Sequence, residues 1–217
     1  MPENHTITWH AGAMDTENNT LPGFKAALDA GADIAEPDVS FLPDGTPVLI
    51  HAEAPTDTTL PLFDDALALM AQYEKTCLNI DIKSVANIKA LDALVKKHGL
   101  EKRAFFTGVE EEWIAPVKAA STLPYYLNSA PGPDVIHNRE KAAALAKKAA
   151  DLGCIGLNMH FSFVSPEIIE AAREQNVLTS FWTPSTQAEL SVILAGAPNN
   201  VTTNRPDIAY KLLGGEN

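Results

Sequence analysis

Between Trp9 and Glu53 the chain sets out, at close spacing, residues able to do acid–base and metal chemistry. His10 follows the short run Ile7-Thr8-Trp9, Glu36 and Asp38 flank Pro37, and His51 follows Val48-Leu49-Ile50. In an extended strand alternate side chains share a face, so Glu36 and Asp38 point the same way. Aligned carboxylates suit a hard divalent cation, which takes oxygen ligands. Imidazoles beside such an ion titrate near neutrality and can take or give a proton. Each piece alone has a plainer explanation: a histidine closing a strand is commonly structural, and Glu-x-Asp is commonly a solvated strand face. The chemistry requires a fold that brings the pieces together.

That fold is legible in the alternation of short apolar runs with helical patterns. Strands are expected near 6–10, 33–39, 77–82, 103–107, 124–128, 154–158, 177–182 and 199–203. The helices between them carry caps: Thr20 precedes one that ends near Gly31, and Ser84 opens one closed by Gly99. Asn138 caps a third that stops at Gly153, and Ser165-Pro166-Glu167 starts a fourth that ends near Asn176. Eight strands with intervening helices are the count of an α/β protein of the (β/α)8 TIM-barrel type, a single domain over 1–217. The alternative, an open doubly wound sheet, lacks a glycine-rich nucleotide loop after its first strand. In a barrel, active-site residues sit at the C-terminal ends of the strands. His10, Glu36, Asp38, Asp81, Lys83 and Trp182 all fall at or near such ends, and His51 ends a small extra strand in the loop after the second.

The sequence order is more specific than any single feature. His10-x-Gly12, Glu17-Asn18-Asn19-Thr20, Gly31-Ala32-Asp33, Glu36-x-Asp38-Val39, Asp44-Gly45-x-Pro47-Val48 and His51 follow one another at tight spacing. This resembles the glycerophosphodiester phosphodiesterase family, whose members carry H-R-G, E-N-T, G-A-D, E-x-D-V, D-G-x-P-V and H-D in that order. Farther on, Leu78-Asn79-Ile80-Asp81-Ile82-Lys83 resembles a family strand ending E-I-K. Phe181-Trp182-Thr183-Pro184 is similar to W-T-V-N, and Thr203-Asn204-Arg205-Pro206-Asp207 to T-[DN]-R-P-D.

The resemblance implies metal-dependent hydrolysis of a small glycerophosphodiester to an alcohol and glycerol 3-phosphate. His10 and His51 would be the acid–base pair, and Glu36, Asp38 and Asp81 the ligands of Mg²⁺ or Ca²⁺. Lys83 would meet a phosphoryl oxygen, and Trp182 would wall the pocket or merely fill the barrel. Arg205 reads as a helix-start or surface ion-pair residue. Two other readings stay open: a barrel that binds without turnover, and a lyase that stops at the cyclic phosphate, as in sphingomyelinase D-like enzymes. Ala11 replaces the family's Arg, Ala52 replaces the Asp after the second His (Glu53 is next door), and Asp81 stands where Glu is usual. Either Glu17 or Asn18 aligns with the family's Glu. The short stretch between His51 and the third strand leaves no room for the family's small inserted subdomain, so the mouth should be open on that side.

Composition narrows the partners. A formal net charge of −12 disfavours nucleic acid and anionic membranes. No apolar run reaches membrane-span length, and MPENHTITWH lacks the basic and apolar regions of a signal peptide, which gives a cytoplasmic expectation. Cys77 and Cys154 fit core thiols better than a disulfide.

Overall fold

The computed structural model describes residues 5–214. Ten strands form one sheet: β1 (Thr6–Trp9), β2 (Ile34–Ala35), β3 (Asp38–Phe41), β4 (Pro47–Leu49), β5 (Cys77–Ile82), β6 (Ala104–Val109), β7 (Tyr125–Asn128), β8 (Gly156–His160), β9 (Leu178–Trp182) and β10 (Asn200–Thr203). From β5 to β10 neighbours pair in parallel and in sequence order, and β10 returns to pair with β1. β2 bridges β1 and β5, and β3 continues along β5. β2 and β3 are therefore one barrel strand broken at Glu36-Pro37. The sheet closes as an eight-stranded parallel barrel, and β4 is an antiparallel flap on β3.

The helices cover the outside for a patterned reason. On α3 (Ile88–Lys97) the buried Ile88, Leu91 and Val95 form one stripe, and on α7 (Pro166–Glu174) Ile168, Ile169, Ala171 and Ala172 do the same. Outward strand residues such as Ile7, Ile80, Phe106, Leu157, Phe181 and Val201 meet those stripes, making the main core. Burying each such side chain contributes roughly 1.5–3 kcal/mol. Inside the barrel the chemistry is layered. Ile34, Phe105 and Tyr126 plug the interior as a separate apolar cluster, with the rings of Phe105 and Tyr126 5.5 Å apart. Gly156 makes room for this plug, since a Cβ there would lie 2.5 Å from the Tyr126 ring. Thr8, Asn79, Thr107, Asn158, Ser180, Asn200 and Thr202 are also buried, and hydrogen bonds between side chains and to backbone satisfy most of this inner set.

Three of the expected helix starts stand: Thr20, Asn138 and Ser165 each accept a first-turn N–H. The fourth moves. Ser84 uses its hydroxyl on Ala86 N in a local turn, and the helix begins at Ile88 behind Asn87, whose amide also donates to Gly45 O. The strand expected at 154–158 begins at Gly156, because Cys154 N is still bonded back to Ala149 O at the end of α6 (Arg139–Asp151). Both cysteines are free, and burial pushes the Cys154 thiol up to about 11. No helix among the described residues is long and apolar enough to cross a membrane.

Candidate active site

The C-terminal mouth of the barrel opens into a cavity of about 390 Å³, within the range of small-ligand sites. His10, Glu36, His51, Asp81, Lys83 and Trp182 line it, above a floor that includes Asn79, Thr107, Asn128, Asn158 and Thr202. Asp38, buried beside Glu36 and Asp81, completes the acidic set. One oxygen each from Glu36, Asp38 and Asp81 lie within 4.8 Å of one another.

Backbone register places these groups. Glu36 N–H donates to Trp9 O on β1, Asp81 N–H donates to Pro37 O, and Asp38 stands directly beside Asp81 across the β3–β5 pairing. Each carboxylate is then held by one oxygen. Glu36 Oε2 accepts Ala11 N–H at 3.0 Å, Asp38 Oδ2 accepts Asn19 Nδ2 at 2.7 Å, and Asp81 Oδ1 accepts Thr107 Oγ1 at 3.2 Å. Asn19 also accepts Asp38 N–H at 3.0 Å, so one amide clasps both ends of that aspartate. The remaining oxygens of the two aspartates meet the one ammonium that the described residues bring to the site: Lys83 Nζ lies 2.9 Å from Asp38 Oδ1 and 2.6 Å from Asp81 Oδ2.

The charge balance explains the protonation behaviour. Burial, reinforced by the charges of Asp38 and Asp81, drives the Glu36 carboxyl well above the usual carboxylate range. Burial also raises Asp81; the nearby Lys83 opposes it, and Asp38 adds to it. For Asp38 burial is outweighed by Lys83, the Asn19 amide and His51, and its carboxyl is held low. Lys83 is raised in turn because its two aspartates outweigh its own burial. Three carboxylates share one lysine, and such a set is short of positive charge. The donors are all hard oxygens, so the three residues fit a hard divalent cation.

The two histidines differ in setting. His10 directly follows β1, donates its backbone N–H to Thr203 O, and has a buried Nδ1 without a partner among the described residues. His51 stands at the rim with its side chain 70 % exposed and Nδ1 3.2 Å from Asp38 Oδ1. The carboxylate beside His51 is therefore that of Asp38 and not one at position 52. Glu53 is exposed and serves through its backbone carbonyl, which accepts Ser40 Oγ.

Trp182 is 36 % exposed at the rim, edge-on to His160 with ring centres 5.3 Å apart, so it walls the cavity and does not fill the barrel. Arg205 forms a two-point ion pair with Asp207 outside the cavity, as its position before the last helix suggested. Neither Glu17 nor Asn18 lines the cavity, and both are exposed; the adjacent Asn19 is the residue that reaches the site.

Sequence reasoning left three features unassigned. Asn19 was hidden in a motif of uncertain register. Gly108 has φ +74° and lets β6 approach Asp81: a Cβ there would fall 2.5 Å from Asp81 Oδ1 and 2.3 Å from Ile82 O. The amide floor was the third, with Asn128 Oδ1 accepting both Gly108 N–H and Asn158 Nδ2. Polar residues at every second position of otherwise apolar strands, as in Asn79-x-Asp81 and Asn200-x-Thr202, were the available signal.

A closed parallel barrel with its ionisable groups gathered at the C-terminal mouth is the plan of a (β/α)8 enzyme. The model of the glycerophosphoryl diester phosphodiesterase family matches residues 10–61, the stretch that contains both histidines, Glu36 and Asp38. Over that stretch the chain is similar to the members of that family. The fold is shared with solved structures at low identity. A glycerophosphodiester phosphodiesterase of Parabacteroides distasonis is 15% identical with a TM-score of 0.81, over 99% of this chain and 98% of that one. An Oleispira antarctica phosphodiesterase, solved in complex with the product sn-glycerol-3-phosphate, is 18% identical with a TM-score of 0.81, over 97% of each chain. No sequence among the curated proteins matches this chain.

Proposed function

We propose that this protein hydrolyses a glycerophosphodiester to an alcohol and glycerol 3-phosphate, with a divalent cation on Glu36, Asp38 and Asp81 and with His10 and His51 as the acid–base pair. The observation that carries the reading is the meeting of these five residues at one barrel mouth, inside or beside the block that the family model matches. The product bound by the Oleispira antarctica relative supports the glycerol phosphate half of the substrate.

The residues divide the work by their surroundings. A bound cation would supply Lewis-acid stabilisation of charge on the phosphoryl oxygens. Asp38 holds His51 by Nδ1, which leaves Nε2 for proton transfer at the exposed rim. One imidazole takes the proton of the glycerol hydroxyl next to the ester as that oxygen bonds to phosphorus. The other gives a proton to the headgroup oxygen as its phosphorus bond breaks, and water then opens the cyclic phosphate. Trp182 supplies an apolar wall for the glycerol carbons. The access that His51 has to water favours the opening step over a reaction that ends at the cyclic phosphate.

The test is release of alcohol from glycerophosphocholine and glycerophosphoethanolamine in Mg²⁺, Ca²⁺ or EDTA, beside His10→Ala and Asp38→Ala. Cation-dependent turnover, lost in both folded variants, is expected. Turnover that survives EDTA, or survives either substitution, refutes the reading.

A further inference from the structure

We propose that Lys83 is the built-in counter-cation of this centre, that a divalent ion binds by displacing it, and that Lys83 thereby sets the cation affinity. The inference rests on the reading of Glu36, Asp38 and Asp81 as a cation site, and deepens it.

The argument is one of oxygen accounting. Asp38 Oδ2 accepts Asn19 Nδ2 at 2.7 Å, and Asp81 Oδ1 lies 3.2 Å from Thr107 Oγ1, whose single proton also has Asn79 Oδ1 at 2.7 Å. The other aspartate oxygens, Asp38 Oδ1 and Asp81 Oδ2, are the two that Lys83 Nζ bridges at 2.9 and 2.6 Å, and Asp38 Oδ1 also lies 3.2 Å from His51 Nδ1. Divalent ions bond carboxylate oxygen at about 2.0–2.6 Å, shorter than either contact. An ion sharing both oxygens with a bridging ammonium would be in contact with it, and two like charges at such range repel strongly in a poorly solvated pocket. The lysine must therefore leave for the ion to enter. It has somewhere to go, because Lys83 lines the cavity as well as the acid cluster. Its stem is long and flexible and its ammonium is a compact point charge, which suits such a swing. Freed from its aspartates, the ammonium faces the space where an anionic ligand would sit. The phosphate-binding lysine expected from sequence and the ion-paired lysine seen here are then two positions of one side chain, selected by the cation.

The experiment is calorimetric titration of the full chain, stripped of metal, with Ca²⁺ and with Mg²⁺, for wild type and Lys83→Met. Loss of the competing ammonium should tighten cation binding about 5- to 150-fold, the usual span of coupling between two ligands. Trace acetylation of wild type, read at Lys83 by mass spectrometry, gives a second measurement that needs no variant. The Lys83 rate should rise several-fold at saturating cation while surface lysines stay constant. Equal or weaker binding by the variant, or an unchanged Lys83 rate at saturation, overturns the displacement and leaves the cation site standing. Failure of both proteins to bind either ion removes the cation site itself, and the inference with it.

Discussion

Replacing Asn19 with Ala separates the support of the acid cluster from the cluster itself. Two interactions with Asp38 are lost: the amide donating to Oδ2 at 2.7 Å, and the carbonyl accepting Asp38 N–H at 3.0 Å. A hydrogen bond to a charged partner is worth about 1.5–3 kcal/mol, and a buried N–H left without a partner costs about 1–3 kcal/mol. Asn19 also has φ +55°, a left-handed conformation that Ala adopts at a further cost of roughly 1 kcal/mol. Water entering beside this half-buried residue recovers part of the sum, so Asn19→Ala should lose about 3 kcal/mol in urea unfolding of the metal-free protein. Asn19→Gly, which relieves the backbone but also lacks the amide, should lose about 1 kcal/mol less. Cation affinity should fall about 10-fold in both, because Asp38 is no longer fixed and such supporting contacts are worth 10- to 100-fold. A loss under about 1 kcal/mol with unchanged cation affinity would refute the clasp as the device that orients Asp38.

Other outcomes follow from the same contacts. His51→Ala removes a side chain that is 70 % exposed, so stability should stay within about 0.5 kcal/mol while turnover falls at least 100-fold; equal damage to both would make His51 structural. Gly108→Ala meets Ile82 O at 2.3 Å in a left-handed backbone and should lose more than about 3 kcal/mol by denaturant titration; a neutral result would mean that β6 can withdraw from Asp81. Ca²⁺ at 100 times its Kd should add about 2.7 kcal/mol, seen as a rise in Tm that EDTA reverses, and an unmoved Tm would argue against a folded-state ion site. At Asp92 burial is outweighed by Lys96 and Ser121, which hold its carboxyl below the ordinary 3.8. A folded value below the unfolded one stabilises above the unfolded pKa and is lost as pH falls through the folded one. Asp92→Asn should therefore flatten the stability profile below about pH 4, and an unchanged acid limb in unfolding curves would count against that pair.

By itself the sequence determined the barrel and the identity of most groups at its mouth. Buried parallel strands read as near-continuous apolar runs, and the helices between them carry capping side chains that act within three residues, so both signals are local. That is why Thr20, Asn138 and Ser165 could be read directly, and why His10 and Asp81 could be placed near strand ends, whereas Asp38 opens β3 beyond the Glu36-Pro37 break. Asn87 was obscured by Ser84, which offers an equally good local hydroxyl and spends it on a turn. What the sequence could not contain is which atoms face which. The clasp of Asn19 on Asp38 spans a loop of reversed backbone handedness, and the link from His51 to Asp38 replaces a neighbour that Ala52 lacks. The Lys83 bridge depends on parallel registration of β3 with β5, which sets Asp38 beside Asp81. Closure of the sheet decides these contacts, because it brings residues distant in sequence within about 3 Å in a pocket too dry to leave charge unpaired.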